Sequence, residues 1–392
     1  VRTVLKICCS EWENASRDKR ELSVYRELGD RVLIMAKGKP THCGRYDTVD
    51  GFDVIRLSTR PLGNKVPVLV NRVLSAFTWA LRARKVEASV ISGHDLLGVL
   101  IGYLSNIGLK KSRKAKLIYD SHEFELGRAK KRSRFEVFLI KHLERFLMKR
   151  CVLSIVVNDS IADELQQIHG LKYRPTVVRS TPHNWKLDRN AIEATRVRIC
   201  NTMGIPNDMF LVMYHGAIAP ERSIEVLVEA VSRNQDIAAV ILGNASSRSY
   251  LDELQRRAEE LGITNRILFH PAVSIKDLYK YVGAADLGIV LVSGTYKSYY
   301  LSLPNKFFEN IQALTPIIAP AFPEMKRLVE KYGIGLVVDL GNDSEVDAAI
   351  QKMRTDKDYY VQCKANLQLA KQELCWENEK NVLVSAYEGL FK

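Results

Sequence analysis

The sequence predicts an α/β protein made of two doubly wound, Rossmann-like domains that face a cleft. Three features point to it. Short apolar or β-branched runs alternate with amphipathic helical stretches in both halves of the chain, the pattern of consecutive βαβ units in a parallel sheet. A polar, proline-bearing stretch without period, RSTPHNWKLD from Arg179 to Asp188, breaks that alternation near the middle, as an interdomain linker does. The length, 392 residues, exceeds the size to which a single core grows.

In the first half, Val4 to Cys9 and Arg31 to Ala36 read as strands around a helix from Glu21 to Leu28 closed by Gly29. Arg17, Lys19 and Arg20 fall at the strand-to-helix junction, where they meet a phosphate or a substrate carboxylate, or else form a solvated basic turn. Phe52 to Leu57 is the third strand, Val68 to Arg84 the next helix, and Ala88 to Ser92 the fourth strand. That strand runs through Gly93, His94 and Asp95 into another helix. Polar residues at the carboxyl ends of parallel strands point to where open α/β sheets bind ligands, so His94 and Asp95 are site candidates; Asp95 also reads as a simple N-cap.

Lys116 to Tyr119 is the fifth strand, and Asp120, His122, Glu123 and Glu125 follow it at once. His122 is either a ligand-facing group or a buried histidine that orients its loop. The helix after it carries an apolar stripe, Phe135, Phe138, Leu139, Leu143, Phe146 and Leu147, amid basic residues from Arg128 to Arg150 that include Lys130 and Lys131. Such a helix lies in an anionic membrane interface or covers a sheet with its outer face solvated. Leu153 to Val157 and Thr176 to Val178 close the half, around a helix from Asp159 or Ser160 to Gly170.

Beyond the linker, Phe210 to Tyr214, Ala238 to Leu242, Ile267 to His270, the AADLGIVLV run, Ile317 to Ala319 and Gly333 to Val338 read as strands. Gly216 and Gly243 follow two of them, and Arg222 stands in the first turn of a helix starting near Glu221. The segment Leu303 to Glu324 is the most informative: a loop, a proline, Pro304, that fits the first turn of a helix, the helix itself with Phe307, Phe308, Ile311 and Leu314 on one face, then a buried strand. A loop and helix start of this kind seat a phosphate on unpaired N–H groups, Lys306 adds charge, and Glu309 accepts from a neutral diol. Alternatively, Lys306 and Glu309 form an i,i+3 surface pair.

The run Pro304-x-Lys306-x-x-Glu309 with the later ALTPIIA resembles the donor-site segment of retaining glycosyltransferases of the GT-B fold, family 4, in its bacterial surface-polysaccharide variant. The resemblance implies that Glu309 holds the ribose of a nucleotide sugar and that Gly216, Arg222 and Lys306 grip its diphosphate. Gly243 adds a second donor-side loop, and the nucleobase rests on backbone near Val273. His122 then faces the donor sugar, with Arg17, His94, Asp95, Asp120 and Glu123 on the acceptor side and Tyr299 and Ser302 near the sugar. Two positions depart from the pattern: Leu301 replaces a second glutamate and Ala217 an arginine. The implied domains are 1–183 with a last helix, 374–392, crossing back, and 184–373.

The activity implied by the resemblance is that of a metal-independent hexosyltransferase without cofactor. It takes its sugar from a nucleotide diphosphate, a UDP-sugar, to a glycan, lipid-linked or cell-surface polysaccharide acceptor. A GT-B epimerase or phosphorylase, or a catalytically silent partner-binding protein, shares the architecture. The balance of 58 Lys+Arg against 45 Asp+Glu calls for an anionic partner, phosphate or anionic lipid, and no nucleic-acid motif accompanies it. Seven cysteines, among them Cys8, Cys9, Cys43, Cys151 and Cys200, show no metal spacing, and no run spans a bilayer. The start of the chain is too short and polar for a secretory signal, so the expected place is the cytosol, with the basic helix as a peripheral attachment to the inner face of the membrane.

Overall fold

The computed structural model describes residues 1–12, 15–38, 44, 46–63, 65–128 and 132–391. The chain divides into two compact units, Val1–Arg179 with Lys380–Lys392, and Ser180–Glu379.

In chain order the first unit holds β1 (Thr3–Cys8), α1 (Ser16–Glu27), β2 (Arg31–Lys37), β3 (Tyr46–Val49), β4 (Phe52–Leu57), α2 (Val68–Arg84) and β5 (Val90–His94). There follow α3 (Asp95–Asn106), β6 (Lys116–Ser121), α4 (Arg134–Met148), β7 (Leu153–Val156), α5 (Asp159–His169) and β8 (Thr176–Val177). The strands order as β3-β4-β2-β1-β5-β6-β7-β8. All pairs are parallel except β3 on β4, an edge hairpin that its exposed alternation YDTV did not announce. The order reverses direction between β1 and β5, and the carboxyl ends of those two strands form the crevice where such sheets take ligands. Trp79 and the alanines of α2 pack with Leu5, Met35 and Ile55 on one face of the sheet.

The second unit comprises α6 (Arg189–Met203), β9 (Phe210–His215), α7 (Glu225–Arg233), β10 (Ile237–Leu242), α8 (Arg248–Glu260), β11 (Ile267–His270), α9 (Leu278–Ala284) and β12 (Leu287–Ile289). It continues with α10 (Lys297–Tyr300), α11 (Asn305–Gln312), β13 (Ile317–Pro320), α12 (Pro323–Tyr332), β14 (Gly335–Val338), α13 (Asp343–Thr355) and α14 (Lys357–Glu373). Its all-parallel sheet, β11-β10-β9-β12-β13-β14, repeats the winding, with the reversal between β9 and β12. β10 is buried at every position, as a central strand covered on both faces must be. The last helix, α15 (Trp376–Glu388), belongs to the first unit from Lys380 onward, where Tyr387 stacks on Tyr25 and its hydroxyl donates to Asp30 at 2.5 Å.

Three elements differ from the sequence reading. α1 begins at Ser16, because its first buried residues, Arg17, Asp18 and Glu21, are charged and a hydrophobic period does not register them. Arg222 ends a 3-10 turn, Pro220–Arg222, and α7 starts only at Glu225, after Ser223 takes a left-handed φ of 49°. Pro304 occupies the cap position before α11, at φ −73°, one place ahead of the first turn.

Candidate functional sites of the two units

In the second unit the site grows from the carboxyl end of β9. Gly216 follows β9 with φ 123°, and its N–H donates to Leu242 O at 2.9 Å. A Cβ on Gly243 would come within 1.8 Å of Gly216 O, so only glycine lets the two strand-end loops lie back to back. Lys306, from the first turn of α11, passes over this loop: its Cε and Nζ lie 3.4 Å from where a Gly216 Cβ would be. Its ammonium stands 4.0 Å from the Tyr214 ring centroid.

Lys306 is 8 % exposed, which overturns the surface-pair alternative, and among the described residues its Nζ has no hydrogen-bond acceptor. Burial, with Arg222 nearby, holds its pKa well below the ordinary lysine value, and Glu309 only partly opposes this. The same Arg222 field acts on Tyr214, whose pKa burial raises. Arg222 also lies over the Tyr299 ring at 5.3 Å, so Arg222, Lys306 and Tyr214 form one electropositive cluster at the end of β9. Ser302, donating to Tyr299 O at 2.7 Å, ties down the same short turn.

Glu309 does not face Lys306 alone. It pairs with His215 Nε2 at 3.0 Å, and His215, 2 % exposed, leaves Nδ1 without a partner among the described residues. His215 is the residue that the sequence reading missed: it stands directly before Gly216, at the strand end facing the reversal point, which was its available signal. Leu301 is buried, and Ala217 accepts the Tyr214 hydroxyl on its carbonyl at 2.7 Å. The Val273 side chain packs toward the core beside Leu278 and Tyr281, and the N–H of Ala272 donates to Asn244 at 3.2 Å. The loop around Val273 therefore offers a ligand backbone more than side chain.

In the first unit the site forms where β1 and β5 end, and its centre is a group not anticipated. Lys6 is fully buried in mid-strand, with Nζ 2.8 Å from Asp18, 2.8 Å from Glu21 and 2.6 Å from Asp120. Burial alone would lower its pKa, but Asp120, Asp18 and Glu21 raise it well above the ordinary value. Asp120 is held well below the carboxylate range despite its burial, by His122, Lys6 and Arg17. Arg17 is 7 % exposed, pairing with Asp120 at 3.3 Å and donating to Val178 O at 2.7 Å, so it is no solvated turn. Lys19 does reach outward, to Asp50 at 2.6 Å.

Two imidazoles cover this base. His122 Nε2 lies 2.8 Å from Asp120, His94 Nδ1 3.0 Å from Asp18, and the rings stack at 3.8 Å. Burial opposes the charge on His94, yet Asp18 outweighs it and raises its pKa to about 11. Asp95 is not an ordinary cap: it takes a left-handed φ of 56°, accepts the N–H of His122 at 3.0 Å and binds Arg128. Glu123, half exposed, pairs with Arg128 at 3.2 Å. Cys8, Asp18 and His94, and likewise Asp18, Asp120 and His122, converge as metal ligands would, but the Lys6 ammonium already sits against both carboxylates. The chain's one Asp-x-Asp, Asp356-Lys357-Asp358, serves as a helix start, Asp356 accepting from Tyr359 N at 3.0 Å.

Helix α4 covers the sheet with one narrow face, where Glu144 accepts from the Tyr119 hydroxyl of β6 at 2.7 Å. Glu144, Leu147 and Met148 are its buried residues, whereas Phe135, Phe138, Leu139 and Phe146 are exposed. α2 carries a matching outward stripe, Val70, Val73, Phe77 and Leu81, at helical spacing. Lys130, Lys131 and Cys43 lie outside the described residues; Cys8, Cys9, Cys151 and Cys200 are free thiols. No helix among the described residues is long and apolar enough to cross a membrane.

Residues 199–369 match the family model described as Glycosyl transferases group 1. An uncharacterized glycosyltransferase of Methanocaldococcus jannaschii is 20 % identical over 360 residues, covering 88 % of this chain and 86 % of that protein. A D-inositol 3-phosphate glycosyltransferase of Thermomonospora curvata is 25 % identical over 218 residues, 53 % of this chain and about half, 48 %, of its own length. Among solved structures, Anabaena HepE in complex with UDP-glucose superposes with a TM-score of 0.75 at 15 % identity, covering all of both chains. Sucrose-phosphate synthase from Thermosynechococcus elongatus does so with 0.77 at 17 %, covering 100 % and 99 %.

Proposed function

As a chain of GT-B fold whose second unit carries a glycosyl transferases group 1 domain, this protein is a glycosyltransferase, and we propose that it moves a sugar from UDP to an acceptor hydroxyl with retention. One observation carries the reading: a buried lysine, without an acceptor for its N–H groups, projects over a glycine loop beside an arginine. A cation so placed is costly unless an anion completes it, and the α11 amino terminus adds its dipole in the same direction. Lys306 and Arg222 thus neutralise the leaving diphosphate, the charge that develops in the transition state. Glu309, held by His215, takes the ribose hydroxyls.

UDP as the nucleotide is supported by the UDP and UDP-glucose complexes of HepE. A surface-polysaccharide or lipid-linked acceptor is supported by the likeness to WaaG, named for lipopolysaccharide biosynthesis, and by the stripes of α2 and α4. Those stripes, flanked by Arg82, Arg84, Arg134, Lys141, Arg145 and Lys149, fit the anionic inner face of a membrane. The reaction uses no metal: two fixed cations do the neutralising. Calorimetry with UDP and UDP-sugars tests donor binding, and the anomeric coupling of the product by NMR tests retention. Release of UDP that needs no acceptor, or a product of inverted configuration, would overturn the reading.

A further inference from the structure

Among the described residues, neither the Arg222 guanidinium nor the Lys306 ammonium makes an ion pair or a side-chain hydrogen bond. Other cations of the second unit do: Arg196 pairs with Asp286, Arg233 with Asp343 and Asp347, and Arg257 with Glu229. Arg222 and Lys306 lie on aromatic faces instead, Lys306 Nζ 4.0 Å from the Tyr214 ring centroid and Arg222 Cζ 5.3 Å from that of Tyr299. Both rings are themselves fixed. Tyr214 is wholly buried in the core that Ile218, Ile224 and Val228 share, and its hydroxyl donates to Ala217 O at 2.7 Å. Tyr299 packs against the core that includes Phe307 and Ile311 of α11, and meets the Tyr296 ring edge-on at 5.8 Å. The segment that carries Tyr299 is tied to the turn that carries Arg222, for the N–H of Ser293 donates to Glu221 O at 3.0 Å.

We infer that Tyr214 and Tyr299 are positioning residues of the anion clamp: each holds one cation by its ring face and fixes where the charge stands without neutralising it. The inference rests on the donor reading only for the identity of the ligand, a nucleoside diphosphate. A carboxylate in either place would also fix the cation, yet it would cancel the charge and repel the diphosphate that comes beside it. An uncharged ring attracts the cation through its quadrupole, more strongly once water is excluded, and adds no net charge. Tyr214 stays uncharged because burial raises its phenol pKa. Arg222 gains most from such a hold. It is a long, half-buried side chain on a short turn, and a guanidinium ordered beforehand loses less freedom on meeting the phosphates.

Titrations of the full chain with three probes, UDP, inorganic pyrophosphate and uridine, test this. Tyr299→Leu should weaken UDP and pyrophosphate by about tenfold and leave uridine, which carries no phosphate, unchanged. Tyr299→Phe, which keeps the ring face and removes only the hydroxyl, should retain the affinity for all three. In an Arg222→Gln background Tyr299→Leu should cost nothing further, since the ring acts through the guanidinium. The same contrast of Leu with Phe should hold at Tyr214, where uridine binding also reports that the unit is folded. A UDP affinity untouched by Tyr299→Leu, lost equally with Tyr299→Phe, lost together with that for uridine, or lowered in full on top of Arg222→Gln would overturn the inference and leave the donor reading standing. Pyrophosphate binding that depends on the Tyr299 ring, in a protein that does not bind UDP, would support the clamp and refute the donor reading. A wild type that binds neither would overturn both.

Discussion

His215 Nε2 lies 3.0 Å from Glu309 Oε2, a pair that joins the end of β9 to the first turns of α11. The imidazole is almost wholly buried and Glu309 slightly exposed, so the pair presents one carboxylate edge outward and keeps the other held. His215→Ala and Glu309→Ala should each weaken UDP binding by about tenfold. The double variant should fall short of the sum by about 0.5–3 kcal/mol, because the two act as a unit. A calorimetric double-mutant cycle measures this, and full additivity would separate the histidine from the nucleotide.

Lys306 supplies a proton-linked signal. Its pKa is depressed in the free protein by burial and by Arg222, and a diphosphate beside it favours the charged form. UDP binding should therefore take up protons above the lowered pKa, seen as a binding enthalpy that depends on the ionisation enthalpy of the buffer. Lys306→Ala should abolish the uptake along with most of the affinity.

Lys6 compensates three carboxylates in a fully buried cluster. Lys6→Met removes the compensation but little volume, and should destabilise the first unit by about 3–5 kcal/mol in urea unfolding. Adding Asp120→Asn should restore part of that loss, since the stranded charge is what makes the single change costly. Equal stability of the single variant and the wild type would mean that the ammonium does not balance the cluster.

His94 makes stability depend on alkaline pH. Its folded pKa is raised from 6.5 to about 11. The stabilisation from its charged form is therefore complete below about 6.5 and is lost progressively as pH rises through about 11. His94→Gln should flatten the pH dependence of unfolding over that window, and an unchanged slope between about pH 7 and 10 would assign the ring no charge there.

The outward stripes of α2 and α4 predict membrane retention. Flotation with anionic vesicles should recover the protein, and about 1 M salt, which shortens screening to about 3 Å, should reduce it. Phe77→Ser with Phe138→Ser, exposed positions whose loss leaves no cavity, should lower retention without lowering thermal stability.

The linear order of residues was enough to set the alternation of strands and helices and the positions of Lys306, Glu309, Gly216 and Arg222 near strand and helix ends. Those are local properties: periodicity reports which face of an element is apolar, and strand ends follow from where a run stops. Packing in three dimensions added that Lys306 is buried against Tyr214, that Glu309 turns to a histidine 94 residues away, and that Lys6, Asp18, Glu21 and Asp120 meet. A lysine inside an apolar strand and acids on the inner face of α1 look like breaks in pattern until pairing brings β1, α1 and β6 together. The charges then neutralise one another, and no one-dimensional period records a balance struck between β1 and β6, whose Lys6 and Asp120 are 114 residues apart.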